Sequence, residues 1–234
     1  MSDRTLLLFD IDGTLVWRAT DAHARALHEA LREVHGVDAT RLDARISFAG
    51  RTDGEIARAY LFAAGVSAAV IDERAADVRA VCCERYAALC PNDLSEFVLP
   101  GVPALLQALA ADGERWRLAL LTGNFEAVAR LKLARAGLGG FFESGQGAFG
   151  SDDEDRAALP AIARRRAGSG AGHPHPRERT IVIGDTPRDI ACARADGVRC
   201  FCVASGASPA DELTDADALA ADAFELREQL EAQL

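Results

Sequence analysis

The sequence has no apolar run that approaches the roughly 20 residues needed for a membrane-spanning helix. Its first residues, MSDRT, lack the basic and apolar segments of a secretory signal peptide. Six cysteines are present, but no Cys-x-x-Cys pair occurs, so reduced core thiols are expected rather than a zinc site or a disulfide framework. These absences predict a soluble, cytoplasmic protein with no membrane partner.

Basic residues are also scarce relative to acidic ones. The chain has 26 Lys and Arg against 36 Asp and Glu, for a formal net charge of -10. An acidic protein of this kind is not expected to bind nucleic acid, which favours a small-molecule partner. The one basic stretch, RRRAGSGAGHPHPRER (164–179), is predicted to be a solvated surface connection, and its role is left open.

Four short apolar runs are present: LLLF (6–9), RLALLT (117–122), TIVIGD (180–185) and VRCFCVA (198–204). Each is typical of a strand covered on both faces, and alanine-rich helical segments separate the later ones. This alternation predicts an α/β fold: a Rossmann-like, three-layer α/β/α core around a mostly parallel sheet.

Residues 17–92 interrupt this alternation, because they contain successive helical patterns and no convincing strand. One of these helices is predicted to begin with a capping box, Thr52 to Glu55, and to end at Gly65. We therefore expect an all-α module inserted after the first strand. The predicted core comprises residues 1–16 and 93–234.

Three of the apolar runs end in polar residues, at the edge where open α/β sheets bind ligands. Taken singly, such residues are more often turns or helix caps than catalysts. Their convergence is what predicts an active site. The residues are Asp10, Asp12, Thr122, Asn124, Asp185 and Asp189.

The chemistry of these residues indicates a metal and a phosphate. Side chains two positions apart on an extended segment share one side, so Asp10 and Asp12 are expected to lie close together. With Asp185 they would concentrate negative charge, which a hard cation such as Mg²⁺ relieves. A carboxylate could then act as nucleophile, while Thr122 and backbone N–H groups near Gly123 and Asn124 bind phosphate oxygens.

The motifs resemble those of the haloacid dehalogenase superfamily, and more closely its phosphatases of the phosphoglycolate phosphatase type. DIDGTL is similar to the first motif, LLTGN to the second, and GDTPRD to the fourth. Their order and separations also agree, and the resemblance covers nearly the whole chain.

The resemblance implies a role for each matching residue. Asp10 is the nucleophile, Asp12 the general acid and then base, and Thr122 binds the transferring phosphoryl group. Mg²⁺ is held by the carboxylates of Asp10 and Asp185 and the backbone carbonyl of Asp12. Asp189 binds the cation through a water molecule or contacts the residues that bind it. Residues 17–92 correspond to a mobile helical cap.

The third motif departs from the family pattern, in which a lysine supplies positive charge. Lys132, the only lysine in the chain, comes too early for this position, and Arg156 is the best match. The alternative for Arg156 is a surface arginine that offsets the acidic run 152–155. If Arg156 has no role, Arg164 is the next candidate.

In the predicted cap, FAGRTDGEI (48–56) resembles the substrate-specificity loop of the family. Gly50 would allow a close approach, Arg51 would recognise a carboxylate or second anionic group, and Thr52 would also bind the substrate. The alternative is that this stretch is only a helix start.

The sequence thus predicts a Mg²⁺-dependent phosphatase for a small phosphorylated metabolite, with phosphoglycolate as the first compound to test. A β-phosphoglucomutase-like mutase and a catalytically silent binding protein remain as alternatives. Asp12 argues against a dehalogenase, and the lack of lysine in residues 17–92 argues against a phosphonate hydrolase. No residue-level argument bears on the oligomeric state.

Overall fold

A parallel six-stranded sheet forms the centre of the molecule in the computed structural model, which describes residues 4–17, 21–43, 46–168, 172–206 and 208–232. The strand order is β3-β2-β1-β4-β5-β6, and every neighbouring pair is parallel. The four predicted strands are present, and the structure adds β3 and β6, which are too short to give a sequence signal. The strands are β1 Thr5–Phe9, β2 Trp116–Thr122, β3 Ala148–Phe149, β4 Thr180–Gly184, β5 Arg199–Val203 and β6 Ala218–Ala220.

Helices cover both faces of this sheet. Alternate residues of β1 point to opposite sides, so Leu7 and Phe9 belong to one apolar cluster while Leu6 and Leu8 belong to another. Helices α4, α5 and α8 pack into the first cluster, and α6 and α7 into the second. Their bounds are α4 Val102–Ala111, α5 Glu126–Arg135, α6 Leu159–Ala167, α7 Pro187–Asp196 and α8 Ala223–Glu231. The predicted three-layer α/β/α core is confirmed.

Between β1 and α4 the described residues form helices α1 (Asp21–His35), α2 (Asp53–Ala63) and α3 (Ala68–Leu89). Helix α2 begins as predicted, because the Thr52 side chain accepts a hydrogen bond from Glu55 N. The segments before and after this helical region lie side by side, because Val16 forms a β-bridge with Val98. The division into domains stays a prediction, and residues 18–20 and 44–45 of the expected module lie outside the described residues.

In the described part of the chain, no helix combines the length and apolar character that crossing a bilayer requires.

The basic stretch 164–179 was predicted to be a solvated connection. This is wrong for residues 164–167, which belong to helix α6. Residues 169–171 lie outside the described residues. Arg164 is in the last turn of α6, and its buried guanidinium pairs with Asp196, with Nε 2.5 Å from Oδ2. It also donates to the backbone oxygen of His175 at 2.6 Å. Arg164 therefore holds two core segments together, which makes it unsuitable as a substitute for Arg156.

Candidate active site

The strands β1, β2 and β4 end at the same edge of the sheet. β1 lies between the other two. The next strand, β2, pairs with one side of β1, and β4 later pairs with the other side. Open α/β sheets form ligand crevices where the strand order reverses in this way. The register pairs Phe9 with both Leu120 and Ile183. Residues just beyond these positions therefore lie side by side, as the sequence indicated.

Three buried carboxylates gather at this edge. Asp10, Asp185 and Asp189 each offer an oxygen within 4.8 Å of the others. The buried Arg156 reaches into the group, with Nη2 3.3 Å from Asp10 Oδ1, and donates a hydrogen bond to Asp189 Oδ1. Arg156 is thus a partner of the cluster and does not lie on the surface beside the acidic run 152–155.

Burial and mutual repulsion shift the pKa of two of these carboxyls upward. Burial raises the pKa of Asp10 to about 7; the Arg156 charge opposes the rise, and the charges of Asp189 and Asp12 add to it. Burial, Asp189 and Asp10 raise the pKa of Asp185 to about 8. One arginine does not offset three carboxylates, so a further cation would favour their ionised forms.

Two glycines make room for the Asp185 carboxylate. A Cβ atom at Gly13 would lie 2.2 Å from Asp185 Oδ2, and one at Gly206 would lie 1.7 Å from it. Thr14 Oγ1 donates to the other oxygen, Oδ1, at 3.2 Å. The atoms in this cluster that could bind a metal are carboxylate oxygens. Mg²⁺ prefers ligands of this type, so the residues fit that cation.

Asp189 has a different environment from the other two. Its Oδ2 accepts hydrogen bonds from the amides of Asp185 and Thr186, at 3.2 and 3.0 Å, and from the Thr186 hydroxyl at 2.7 Å. Its Oδ1 accepts from Arg156. Both carboxylate oxygens of Asp189 therefore accept hydrogen bonds from the protein. Asp189 also forms a capping box with Thr186 at the start of α7. This geometry favours a place behind the metal ligands over direct coordination.

Asp12 is held by two residues of the segment after β2. Lys132 Nζ lies 2.7 Å from both Asp12 carboxylate oxygens and 2.8 Å from Asn124 Oδ1. Asn124 Nδ2 donates to Asp12 Oδ2 at 3.1 Å. Burial alone would raise the pKa of Asp12, but the Lys132 charge and these hydrogen bonds hold it below its usual range. The Asp12 side chain is thus ionised in the free site.

Lys132 was not predicted as a site residue, because it comes too early for the third motif, yet it lies against Asp12. A signal was present in the sequence, since Lys132 occupies the apolar stripe of α5 together with Val128, Ala129 and Leu133. A charged residue on a buried helix face needs a partner of opposite charge. What the sequence does not show is that the partner is Asp12, which is 120 positions away.

The second-motif residues lie where the predicted cap meets the core. Thr122 is fully buried, and its Oγ1 accepts a hydrogen bond from Asn124 N at 3.3 Å. Gly123 O accepts from Asp53 N at 2.8 Å. A Cβ at Gly123 would lie 2.0 Å from Arg51 O, so only glycine permits this approach.

The predicted specificity loop divides into three local roles. Gly50, with φ of 66°, packs against the loop after β4, where an added Cβ would lie 2.6 Å from Thr186 Oγ1. Arg51 lines the cavity above the carboxylates, and its Nε lies 3.4 Å from Glu55 Oε1. The Thr52 hydroxyl caps α2 and donates to Glu154 O at 2.7 Å. The contacts of Thr52 are structural, and its side chain does not line this cavity.

A cavity of about 270 Å³ opens above the carboxylates. Its floor consists of the strand-end residues, and Trp17, Phe48 and Ile56 contribute apolar wall. His23 also lines it, with Nε2 3.0 Å from the buried Asp53 carboxylate, which accepts from Phe125 N at 2.7 Å as well. No local sequence pattern indicates this His–Asp pair, because the two residues are on different helices.

Comparison with known proteins is consistent with this geometry. The family model of haloacid dehalogenase-like hydrolases matches residues 7–194. Over 193 residues the chain is 32% identical to a protein named phosphoglycolate phosphatase from Cereibacter sphaeroides, an alignment that covers 82% of each chain. The chain therefore belongs to the haloacid dehalogenase-like hydrolases.

Solved structures share the fold. CbbY from Rhodobacter sphaeroides in complex with phosphate has a TM-score of 0.65 at 23% identity, and the match covers 97% of this chain and 96% of that one. A β-phosphoglucomutase from Clostridium difficile has a TM-score of 0.67 at 14% identity, covering 100% and 96%. Within its family the chain is an enzyme of the phosphatase type, which confirms the class predicted from the motifs.

Proposed function

We propose that this enzyme is a Mg²⁺-dependent phosphatase that releases phosphate from a small phosphorylated metabolite through an aspartyl phosphate on Asp10. One juxtaposition carries the proposal: Asp10 has the Arg156 guanidinium 3.3 Å away, and Asp12, held by Lys132, lines the same cavity. A nucleophile, a cation that balances its charge and a group for proton transfer are thus assembled around one small space.

In the first step, the Asp10 carboxylate attacks phosphorus and the bond to the leaving-group oxygen breaks. Arg156 balances charge on the transferring group, and Thr122 orients it. Asp12 passes a proton to the departing oxygen. Because Lys132 keeps Asp12 ionised in the free site, that proton enters with the phosphate monoester, whose second pKa is about 6.

In the second step, a water molecule attacks the phosphoryl group on Asp10. Asp12 accepts a proton from this water as the bond between phosphorus and the Asp10 oxygen breaks and the Asp10 carboxylate is restored. Asp12 then passes this proton to the departing phosphate and is ionised again. The same Asp12 side chain therefore acts first as acid and then as base.

The residues that would hold Mg²⁺ are the carboxylates of Asp10 and Asp185 and the backbone carbonyl of Asp12, with Asp189 behind them. When bound, the cation neutralises charge on the phosphoryl oxygens. The raised pKa of Asp185, about 8, supports this assignment, because the carboxylates lack sufficient positive charge from the protein itself.

The cavity sets the class of substrate. A volume of about 270 Å³ is at or below the low end for small-molecule sites, typically about 300–1,000 Å³, so a compact metabolite fits. Arg51 lines it and, with Gly50, is placed to meet a carboxylate or second phosphate on that metabolite. A phosphoglycolate-like compound has this chemistry, and the name of the Cereibacter sphaeroides relative supports it.

Helices α1–α3 are proposed to act as a cap that closes over the substrate. The close approach of Gly123 to the Arg51 carbonyl supports this role, because it is a contact between the predicted specificity loop and the strand end proposed to bind phosphate. Closure there would exclude water from the reacting groups.

The remaining features support a cytoplasmic enzyme that acts on free metabolites. The chain is acidic, with a pI near 5.0, and its six cysteines are free thiols in the structure. The free thiols suit a reducing compartment. The acidic net charge disfavours nucleic acid as a partner.

The test is release of inorganic phosphate from phosphoglycolate, a sugar bisphosphate, hexose phosphates and nucleotides, with Mg²⁺ and with EDTA. Metal-dependent release by the wild type, lost in Asp10→Asn, supports the proposal. Selective loss of turnover for doubly anionic compounds in Arg51→Ala supports the role of Arg51. Interconversion of hexose phosphates without net release would indicate a mutase. The failure of any compound to react or to phosphorylate Asp10 would indicate a silent binding protein.

A further inference from the structure

Lys132 is the only lysine in the chain, and its side chain is completely buried. It projects from α5 to the underside of the site, where three acceptor atoms surround its ammonium group: the two Asp12 oxygens at 2.7 Å and Asn124 Oδ1 at 2.8 Å. A lysine ammonium has three N–H donors and no acceptor. All of its hydrogen-bonding capacity is therefore directed at Asp12 and the residue beside it.

This arrangement fixes the Asp12 carboxylate from more than one side. Lys132 bridges both oxygens, and Asn124 donates to Oδ2 at 3.1 Å while accepting from the same ammonium. About a quarter of the Asp12 side chain, 26%, stays exposed, and Asp12 lines the cavity. The carboxylate is thus held from behind while part of it faces the substrate space.

Lys132 itself does not reach that space. Its side chain has no exposed surface, and it is not among the residues that line the cavity. Among the described residues, the cation that contacts Asp10 is Arg156, whose Nη2 lies 3.3 Å from Asp10 Oδ1. Any effect of Lys132 on the reaction must therefore pass through the two cavity-lining residues that it contacts, Asp12 and Asn124.

We infer that Lys132 is a positioning residue for leaving-group protonation: together with Asn124, it holds Asp12 in the orientation from which Asp12 passes a proton to the departing oxygen. The inference rests on the proposed phosphatase function. The proton moves from the bound phosphate monoester to Asp12 and then to the leaving-group oxygen, as the bond from that oxygen to phosphorus breaks.

The chemistry of the leaving group provides a test that a purely structural ion pair would not satisfy. An alkoxide is a poor leaving group and needs a proton, whereas p-nitrophenolate leaves without one. Lys132→Met, which keeps the length and removes the charge, should lower kcat/KM for phosphoglycolate by about 10²–10⁴-fold. The kcat/KM for p-nitrophenyl phosphate should change by less than about threefold, because it depends only on steps through phosphoryl transfer. Asp12→Asn should show the same selective loss.

The double variant Lys132→Met/Asp12→Asn controls for folding, because it leaves neither charge buried alone. In the Asp12→Asn background, Lys132→Met should cause no further loss for phosphoglycolate. Equal losses for both substrates, or an additional loss in that background, would overturn the positioning role. Wild type that releases phosphate from neither compound would overturn the proposed function and this inference with it. A wild type that is active while the Lys132 variants show no selectivity would refute the inference alone.

Discussion

Stabilisation of the fold by Mg²⁺ is expected to grow as the pH rises. The folded apo protein holds protons on Asp10 and Asp185 that the unfolded chain has lost, since their pKa values are raised to about 7 and about 8 from 3.8. A carboxyl whose pKa is higher in the folded state stabilises that state at low pH, and its contribution falls as the pH rises through the folded value. Bound Mg²⁺ keeps both groups ionised and removes this loss.

The magnitude follows from those two pKa values. Between about pH 7 and about pH 9, the protonated fraction of Asp185 in the folded protein falls from nearly one to nearly zero. The protonated fraction of Asp10 falls from about one half to nearly zero over the same range. At roughly 1.4 kcal/mol per pH unit for each proton held only by the folded state, the free energy of unfolding of the apo protein falls by about 2 kcal/mol. For a chain of this size that corresponds to about 4–8 °C in Tm.

The assay is thermal unfolding in excess Mg²⁺ and in EDTA at both pH values. Buried thiols with a raised pKa, such as those of Cys82 and Cys192, add their own pH dependence, but it cancels in the difference between the two conditions. The increase in Tm caused by Mg²⁺ should be larger at the higher pH, and Asp185→Asn should abolish most of it. An increase of equal size at both pH values, or a larger one at the lower pH, would refute the reasoning.

Three further predictions concern individual residues. Asp10→Asn should abolish turnover and leave thermal unfolding cooperative, so activity near wild type would remove Asp10 from the nucleophile role. Arg156→Ala should lower kcat by about 10²–10³-fold, and a loss below tenfold in steady-state assays would contradict its charge-balancing role. Gly13→Ala should weaken Mg²⁺-dependent stabilisation, because its Cβ would lie 2.2 Å from Asp185 Oδ2. Gly36→Ala is its control: φ is also positive, at 69°, but nothing lies within 4 Å, so only backbone strain is expected there.

Local sequence patterns were sufficient for the framework of this protein. The apolar runs identified β1, β2, β4 and β5, because a strand buried on both faces must be continuously apolar. The Thr52 cap identified the start of α2. The motif residues Asp10 and Asp185 follow their strands directly, and parallel strands bring such residues to one edge whatever the details of packing. The position of the site was thus determined by the sequence itself.

The partner of each polar side chain was decided only by the tertiary structure. Lys132 contacts Asp12 across 120 positions, and His23 contacts Asp53 from another helix. No local pattern encodes these pairs, because they depend on how α5 packs beneath the sheet edge and how α1 meets the start of α2. The sequence placed the carboxylates together, but only the fold determined which of them pairs with a lysine and which with an arginine.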